Sequence, residues 1–89
     1  MSSFIENSRY INKAELLEIE KELRILNKRL RINAVQEKDG KAIAVECTVA
    51  VKGNRYVMEA LKKKGWEKIW GSRMYGYYTN TYRKYLGEG

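Results

Sequence analysis

The residues of this chain that could contact a ligand are concentrated in its last third, where aromatic and cationic side chains alternate. From Lys62 the segment reads KKKGWEKIWGSRMYGYYTNTYRKYL, with both Trp residues, five of the seven Tyr and seven Lys/Arg. Flat rings can stack on bases or pack in a protein interface, and cations attract phosphates or carboxylates. This composition predicts a binding surface and specifies no reaction.

The residue types that catalysis needs are largely missing. The chain has no His and a single Cys, Cys47, so Ser-His-Asp and Cys-His systems and the usual zinc sites are impossible. No phosphate-binding glycine loop is present, and a metal-dependent nuclease would have to use Glu37, Asp39 and Glu46. We expect a protein that is not an enzyme, with no catalytic residue, metal site or cofactor, and we expect Cys47 to be a small buried residue.

The charge of the chain favours an anionic partner. The 89 residues carry a net charge of +7, with a pI near 9.6. Residues 1–23 hold three Lys/Arg and five Asp/Glu, whereas residues 24–89 hold fifteen and six. A basic body attracts nucleic acid or an acidic protein surface, although a high lysine content can also serve solubility alone.

Size and composition predict one small domain outside the membrane. The hydrophobic content of 44% is ordinary for a globular protein, and no 18-residue apolar run is present. The first residues lack the basic-then-apolar order of a signal peptide, and one Cys suits a reducing compartment. We expect a flexible N-terminal arm over residues 1–11, a single domain over residues 12–89, and the cytoplasm of a prokaryote or of a virus-infected host cell.

The first predicted element is a helix over about residues 13–31. Asn12 is a suitable N-cap, and Glu15 completes the spacing of a capping box. Leu17 and Ile25 fall outside the apolar stripe and suit a dimer interface. The stripe itself is formed by Leu16, Ile19, Leu23, Leu26 and Leu30.

Asp39-Gly40 lies between two extended runs and predicts a hairpin with a two-residue turn. Residues 55–64 follow as a second helix, which begins after Gly53-Asn54 and ends at Gly65. In the simplest register one face of the hairpin packs on the first helix: Ile32, Ala34, Ile43, Val45, Cys47, Val49 and Val51. The other face carries Asn33, Glu37, Ala42, Ala44, Glu46, Thr48 and Lys52.

A second hairpin is predicted over residues 66–70 and 74–79, with its turn at residues 71–73. Its core side is then formed by three cross-strand pairs: Trp66 with Tyr78, Lys68 with Gly76, and Trp70 with Met74. Its solvent side is Ile69, Tyr75, Tyr77 and Thr79, and a change of one residue in the loop would swap the two sides. The fold class is α+β, with two helices packed on one face of a mostly antiparallel four-stranded sheet in the order α-β-β-α-β-β.

Nucleic-acid binding without turnover is the leading functional hypothesis. Single-stranded or structured nucleic acid fits better than a specific duplex, because stacking tolerates any base and no duplex-reading motif is present. Tyr82 and Tyr85 are further candidate stacking rings. The predicted contact residues are Lys28, Arg29, Arg31, Lys62, Lys63, Lys64, Lys68, Arg73, Tyr75, Tyr77, Arg83 and Lys84.

A protein-binding inhibitor or adaptor is the alternative, because Tyr, Trp, Arg and Met are enriched in interface hot spots. In size and character the chain is similar to small proteins of phages and mobile elements, including inhibitors of host nucleases. Such a module would dock on an acidic protein surface. A homodimer through Leu17, Ile25 and the second hairpin is a third hypothesis.

Overall fold

A computed structural model describes residues 4–87, with the side chain of Met74 outside that description. Its elements are α1 (Lys13–Leu26), β1 (Ala34–Lys38), β2 (Lys41–Ala50), α2 (Arg55–Lys63), β3 (Glu67–Met74) and β4 (Tyr77–Tyr85). The strands form one antiparallel sheet in the order β1-β2-β4-β3. The predicted α+β class and the order α-β-β-α-β-β are therefore confirmed.

Both helices pack on the same face of the sheet. The stripe of α1 and the buried side of α2 meet the strands in one cluster, because apolar residues three and four positions apart share one side of a helix. Trp66 is buried in this cluster as predicted. Its other main members are Leu16, Ile19, Leu23, Val45, Cys47, Val49, Val57, Leu61 and Tyr82. Within residues 4–87, no helix is long and apolar enough to cross a bilayer.

Helix α1 ends at Leu26, five residues before the predicted end. Asn27 has extended backbone angles (φ −159°, ψ 123°), and its side-chain oxygen accepts a hydrogen bond from the Arg29 N–H at 2.9 Å. Its side-chain amide donates to Asn54 at 3.1 Å. A short polar side chain that bonds the backbone in this way competes with helix geometry, so the basic residues after Asn27 lie in a loop.

Asn12 lies at the start of α1 but makes no capping hydrogen bond with its side chain. Its side chain instead forms two hydrogen bonds with the backbone of Ala42, each 2.9 Å long. The residue predicted as a cap therefore ties α1 to β2. Glu20 of α1 is also buried, and its carboxylate accepts a hydrogen bond from the Ile32 N–H at 3.0 Å.

The described part of the predicted N-terminal arm, residues 4–11, is packed on the domain. Ile5 is fully buried, and Tyr10 packs against the core. The Ile11 N–H donates to the Gly40 carbonyl at 2.9 Å. The flexibility of residues 1–11 stays a prediction, and residues 1–3 lie outside the described residues.

The first hairpin turns at Asp39-Gly40 as predicted, but its faces differ from the prediction. Gln36 pairs with Ala44 and the next residue pairs with Ala42, so Ile43 is the extra residue of a β-bulge. A bulge shifts the alternation by one residue. The predicted inward position of Ile43 is therefore wrong: it is 40% exposed, whereas Ala42 is fully buried. Ala34 pairs with Glu46 and also lies on the outer side.

The predicted turn of the second hairpin at residues 71–73 is wrong. Strand β3 continues to Met74, and the turn is formed by Tyr75 and Gly76. The longer ladder adds cross-strand pairs, among them Ser72 with Thr79, and outweighs the turn signal of Gly71. Trp70 pairs with Thr81 and is 55% exposed, so its predicted core position is also wrong.

Candidate nucleic-acid interface

A groove of about 270 Å³ lies between α2 and β3. Val57 and Leu61 anchor the buried side of α2, so Met58 and Lys62, each one position further along, are turned toward β3. On the sheet, the same side of β3 and β4 faces the helix. The groove is lined by Arg55, Met58, Glu59, Lys62, Lys68, Asn80 and Tyr82.

The α2–β3 groove is positively charged. Among the described residues, the ammonium groups of Lys62 and Lys68 have no ion pair and no hydrogen bond. Arg55 lies 3.6 Å from Glu59, but both side chains are largely exposed, and such a solvated pair contributes little. Three cations and one carboxylate give the groove an excess positive charge that attracts anions.

Arg73 extends this row of cations toward the turn of the second hairpin. Lys68 pairs with Tyr82 and Arg73 pairs with Tyr78, so both project on the helix side of the sheet. Tyr82 and Tyr78 are four residues apart in β4, so the backbone positions of Lys68 and Arg73 are about 13 Å apart along the strand. The guanidinium carbon of Arg73 lies 5.3 Å from the Tyr78 ring centroid, within the range of a cation–π contact.

Gly71 lies between Lys68 and Arg73 on this row, and the side chains of Asn80 and Lys68 lie close to it. A Cβ at Gly71 would lie 3.1 Å from the Asn80 side-chain oxygen, a separation that forces one of the two groups to move. A strand glycine often marks such a close approach. The absence of a side chain at Gly71 therefore lets the side chains of Asn80 and Lys68 pack against β3 between the two cations.

Exposed rings surround the turn of the second hairpin. Tyr75 is 92% exposed and Tyr77 is 73% exposed, which confirms their predicted solvent positions. Tyr78 is exposed as well, so its predicted core position is wrong. Tyr75 has a φ of +50°, a left-handed conformation that is unusual for a bulky residue. The turn therefore holds a phenol ring outward at a conformational cost.

Three predicted contact residues have partners within the chain. The Lys84 ammonium donates to the Lys64 carbonyl at 2.9 Å, at the end of α2, where a cation complements the helix dipole. The Lys64 ammonium lies 3.7 Å from Glu22. Arg83 donates two hydrogen bonds to one Glu46 oxygen, at 2.8 and 3.1 Å, and these bonds raise the pKa of the Arg83 guanidinium.

The remaining predicted cations do not join the groove. Lys28, Arg29 and Arg31 lie in the loop before β1, and Arg29 lines a separate pocket with Asn27, Asn54 and other residues near the start of α2. Lys63 is exposed at the end of α2. Arg29 thus lies near the start of α2 and Lys63 at its end, and a helix of nine residues is about 13 Å long.

Sequence reasoning missed Arg55 and misjudged Tyr82. Arg55 precedes Lys62 by seven residues, about two helical turns, and this spacing places both on one side of α2. Tyr82 is only 2% exposed, because it pairs with the buried Cys47 on the core side. Tyr82 is therefore part of the core, and its predicted stacking role is wrong. Tyr85, also proposed as a ring, is exposed on the opposite face.

Neither the carboxylates nor Cys47 forms a metal-binding cluster in the described part of the chain. Residues 4–87 contain no group of three His, Cys, Asp or Glu side chains that could hold a metal ion. Cys47 is completely buried, as predicted, and this burial raises the pKa of its thiol to about 12. The thiol is therefore protonated at neutral pH and is a poor nucleophile.

Comparison with known proteins gives no precedent for this groove. No protein-family model, no curated protein and no solved structure matches the chain. The interpretation of the groove therefore rests on its own geometry, charge and exposed rings.

Proposed function

We propose that this protein binds single-stranded or structured nucleic acid and catalyses no reaction. The observation that carries the proposal is the row formed by Lys62, Lys68 and Arg73. Within the described residues these cations have no carboxylate partner, and they lead to the exposed rings of Tyr75 and Tyr78. The phosphates would lie along the groove, where cations displace condensed counterions.

The exposed rings favour unpaired bases over a duplex. A base within a duplex is already stacked on both faces, so an aromatic side chain can stack only on a base that is free. Each such contact is worth about 1–3 kcal/mol and depends little on base identity. Tyr78 lies under Arg73, so one position offers a ring for a base beside a cation for a phosphate.

The proposal is tested by binding of a fluorescent single-stranded oligonucleotide over a range of salt concentrations. The variant Lys62→Gln with Lys68→Gln removes two cations from the groove. We expect its plot of log K against log salt to be less steep by about 1.4, since each contact with a single strand contributes about 0.7. The affinity at low salt should fall as well.

The matched control is Lys38→Gln with Lys41→Gln, a cross-strand pair at the turn of the first hairpin. It lowers the net charge by the same amount but lies outside the groove, so its salt slope should equal that of the wild type. Equal slopes for all three proteins would contradict the groove as the phosphate site. Absence of any binding at about 50 mM salt would contradict nucleic-acid binding itself.

The rings are tested separately from the cations. Tyr75→Ala with Tyr77→Ala should weaken oligonucleotide binding at fixed salt and leave the salt slope unchanged, because stacking involves no counterion release. Both residues are largely exposed, so the folded state should persist by circular dichroism. An unchanged affinity of the variant for the oligonucleotide would contradict stacking of these two rings on bases.

A protein-binding inhibitor or adaptor is the second candidate, and the contact of Arg73 with the exposed ring of Tyr78, next to the exposed Tyr75, favours it. These are the residue types of interface hot spots, and the partner would present an acidic surface in the cytoplasm, as for inhibitors from phages or mobile elements. Binding to poly-glutamate with no binding to oligonucleotides would favour this candidate. The reverse result would favour the first.

A further inference from the structure

Strand β2 ends before β4 does, and this leaves a recess at the end of the sheet. Strand β2 ends at Ala50. Gly53 follows with a φ of +78° in a turn that closes where the Val51 carbonyl accepts the Asn54 N–H at 3.2 Å. The chain therefore leaves the sheet after Val51. Strand β4 continues past this point, because Ala50 pairs with Thr79, the third residue of β4.

A pocket of about 380 Å³ occupies this recess, and we name it the end pocket. Its volume is within the range of small-ligand sites, roughly 300–1,000 Å³. Consecutive side chains of a strand point to opposite faces of the sheet, so Tyr77 and Tyr78 place a phenol ring on each side of the end of β4. A flat ligand can pack against such rings. The end pocket is lined by Ala50, Val51, Lys52, Gly76, Tyr77 and Tyr78.

A backbone donor of β4 faces the end pocket. The Val51 N–H donates to the Tyr78 carbonyl at 2.9 Å, so the N–H of Tyr78 lies on the same side of the strand, toward β2. In a continued ladder the Val51 carbonyl would accept this N–H, but that carbonyl accepts the Asn54 N–H instead. Within residues 4–87 the Tyr78 N–H has no hydrogen-bond acceptor, so it can donate to a ring nitrogen or a carbonyl oxygen of a ligand.

Two cations adjoin the end pocket. Ala50 and Lys52 also line a second pocket, of about 510 Å³, together with Arg29. Among the described residues, the side chains of Lys52 and Arg29 have no ion pair and no hydrogen bond. The described residues along either pocket include no Asp or Glu. This part of the surface therefore attracts anions.

Hydrogen bonds of side-chain amides hold the backbones of the two cations near each other. Asn27 accepts the Arg29 N–H at 2.9 Å and donates to the Asn54 side chain at 3.1 Å. Asn54 in turn donates to the Ala50 carbonyl at 2.8 Å, and it ends the turn that carries Lys52. The loop with Arg29 and the turn with Lys52 are thereby tied together, so less order has to be gained when a ligand binds.

We propose that the end pocket holds one unpaired base of the bound strand, with the adjacent phosphates on Lys52 and Arg29. This inference rests on the proposed nucleic-acid binding and adds a nucleotide site outside the α2–β3 groove. Tyr78 connects the two regions, because Arg73 of the cation row lies over its ring and Tyr78 also lines the end pocket. The bound strand would therefore pass from the groove around the end of the sheet.

A nucleotide fits these features better than an acidic peptide does. The cations could bind a phosphate or a carboxylate. A glutamate or aspartate side chain has no flat ring to place beside Tyr77 and Tyr78, whereas a base supplies both a ring and an acceptor for the Tyr78 N–H. The base and the phosphate of one nucleotide would thus occupy the aromatic and the cationic parts of this surface together.

Amide NMR spectra recorded with adenosine 5′-monophosphate test the proposal. At about 10 mM nucleotide, enough to saturate a millimolar site, we expect shifts of the Val51, Gly76 and Tyr78 amides, because the ring current of the base acts only over short distances. Adenosine should shift the same amides with lower affinity, and ribose 5-phosphate should leave the Gly76 amide unshifted. No shift at these three amides, or the same shifts with ribose 5-phosphate, would overturn the proposal.

Variants separate the contact with the base from the contact with the phosphate. Lys52→Gln should weaken binding of the nucleotide about fivefold and leave binding of adenosine unchanged. Lys28→Gln is the matched control and should bind as the wild type does, since Lys28 is exposed in the loop of Arg29 and lines neither pocket. Ala50→Phe fills the pocket without a change of charge and should abolish the Gly76 shift. Equal affinities of the two lysine variants, or wild-type binding by a folded Ala50→Phe, would contradict the assignment.

The nucleotide experiment is independent of the oligonucleotide assay. If oligonucleotides bind with the salt slope expected for the groove but the nucleotide shifts none of the three amides, the end pocket is wrong and the proposed function stands. If the nucleotide occupies the end pocket and no oligonucleotide binds at about 50 mM salt, the pocket stands as a mononucleotide site and the proposed function is wrong. A tetraglutamate peptide that shifts these amides when the nucleotide does not would assign the pocket to an acidic protein and overturn the proposal.

Discussion

The two hairpins of this protein have nearly identical turns that are built from different residues. The first turn has φ values of 53° at Asp39 and 82° at Gly40, and the second has 50° at Tyr75 and 83° at Gly76. Asp tolerates the left-handed region because its short side chain can bond locally, whereas a bulky ring is disfavoured there. The first turn follows local preference, and the second is imposed by pairing along β3 and β4.

The two hairpins also differ in how deeply their side chains are buried. Val45, Cys47 and Val49 of β2 are almost completely buried, so the first hairpin supplies much of the core. The turn region of the second hairpin exposes Tyr75, Tyr77 and other rings. An unfavourable turn residue that is also almost fully exposed contributes little to the folded state, and this contrast supports our proposal that the second turn contacts a partner.

The largest expected effect tests whether the base of the second hairpin belongs to the core. Tyr82→Ala should lower the free energy of unfolding by about 3–5 kcal/mol, because it removes a buried aromatic side chain. Tyr77→Ala, in the same strand, should change it by less than about 0.5 kcal/mol. Urea denaturation measures both. Similar values for the two variants would contradict the division of this hairpin into a buried base and an exposed end.

The next prediction concerns the buried thiol of the first hairpin. The pKa of Cys47 is raised from 9.0 to about 12 by burial. Between these values the unfolded chain loses the thiol proton and the folded chain keeps it. The free energy of unfolding should therefore fall by about 1.4 kcal/mol per pH unit as pH rises above about 9, and this contribution is fully present below that pH.

Cys47→Ala is the control for this titration, since it retains every Lys and Tyr that also titrates at high pH. The difference between wild type and variant should shrink as pH rises from about 9 to 11 in urea denaturation. Parallel pH profiles for the two proteins would show that the thiol is not buried in the folded state.

A smaller effect tests the comparison of the turns directly. Tyr75→Asn should raise the free energy of unfolding by about 1 kcal/mol, because Asn tolerates a positive φ. Asp39→Tyr should lower it by a similar amount. If the proposed function is correct, Tyr75→Asn also weakens oligonucleotide binding, so one substitution stabilises the protein and impairs its function. Thermal unfolding and the binding assay measure the two effects.

The smallest effect is expected at the bulge of the first hairpin. Ile43→Thr should change the free energy of unfolding by less than about 0.5 kcal/mol, because the bulge turns this side chain outward. Val45→Ala, two residues further on, should cost about 2 kcal/mol. Chemical denaturation of both variants tests the register, and a large loss for Ile43→Thr would indicate a hairpin without the bulge.

The sequence predicted the composition of the candidate site but not which of its cations are free. The run Lys62-Lys63-Lys64 and the aromatic composition after it predicted a basic surface with exposed rings. The sequence did not distinguish Lys68 and Arg73, which lie along the groove, from Lys84 and Arg83, which bond to Lys64 and Glu46. An ion pair between two strands that are far apart in the sequence depends on the register of their pairing. The number of cations in the sequence does not predict that register.

The sequence by itself determined the elements whose cause is local: the stripe of α1, the Asp39-Gly40 turn and the end of α2, where Gly65 has a φ of +91° and Trp66 N–H bonds the Leu61 carbonyl at 2.9 Å. Only the tertiary structure decided the turn at Tyr75, the bulge at Ile43, and the exposure of Trp70 and burial of Tyr82. A second bulge lies at Ile69, since Lys68 pairs with Tyr82 and Trp70 with Thr81. A strand has a side-chain period of two, so one extra residue exchanges its faces. The position of that residue is set by pairing with strands that are distant in the sequence.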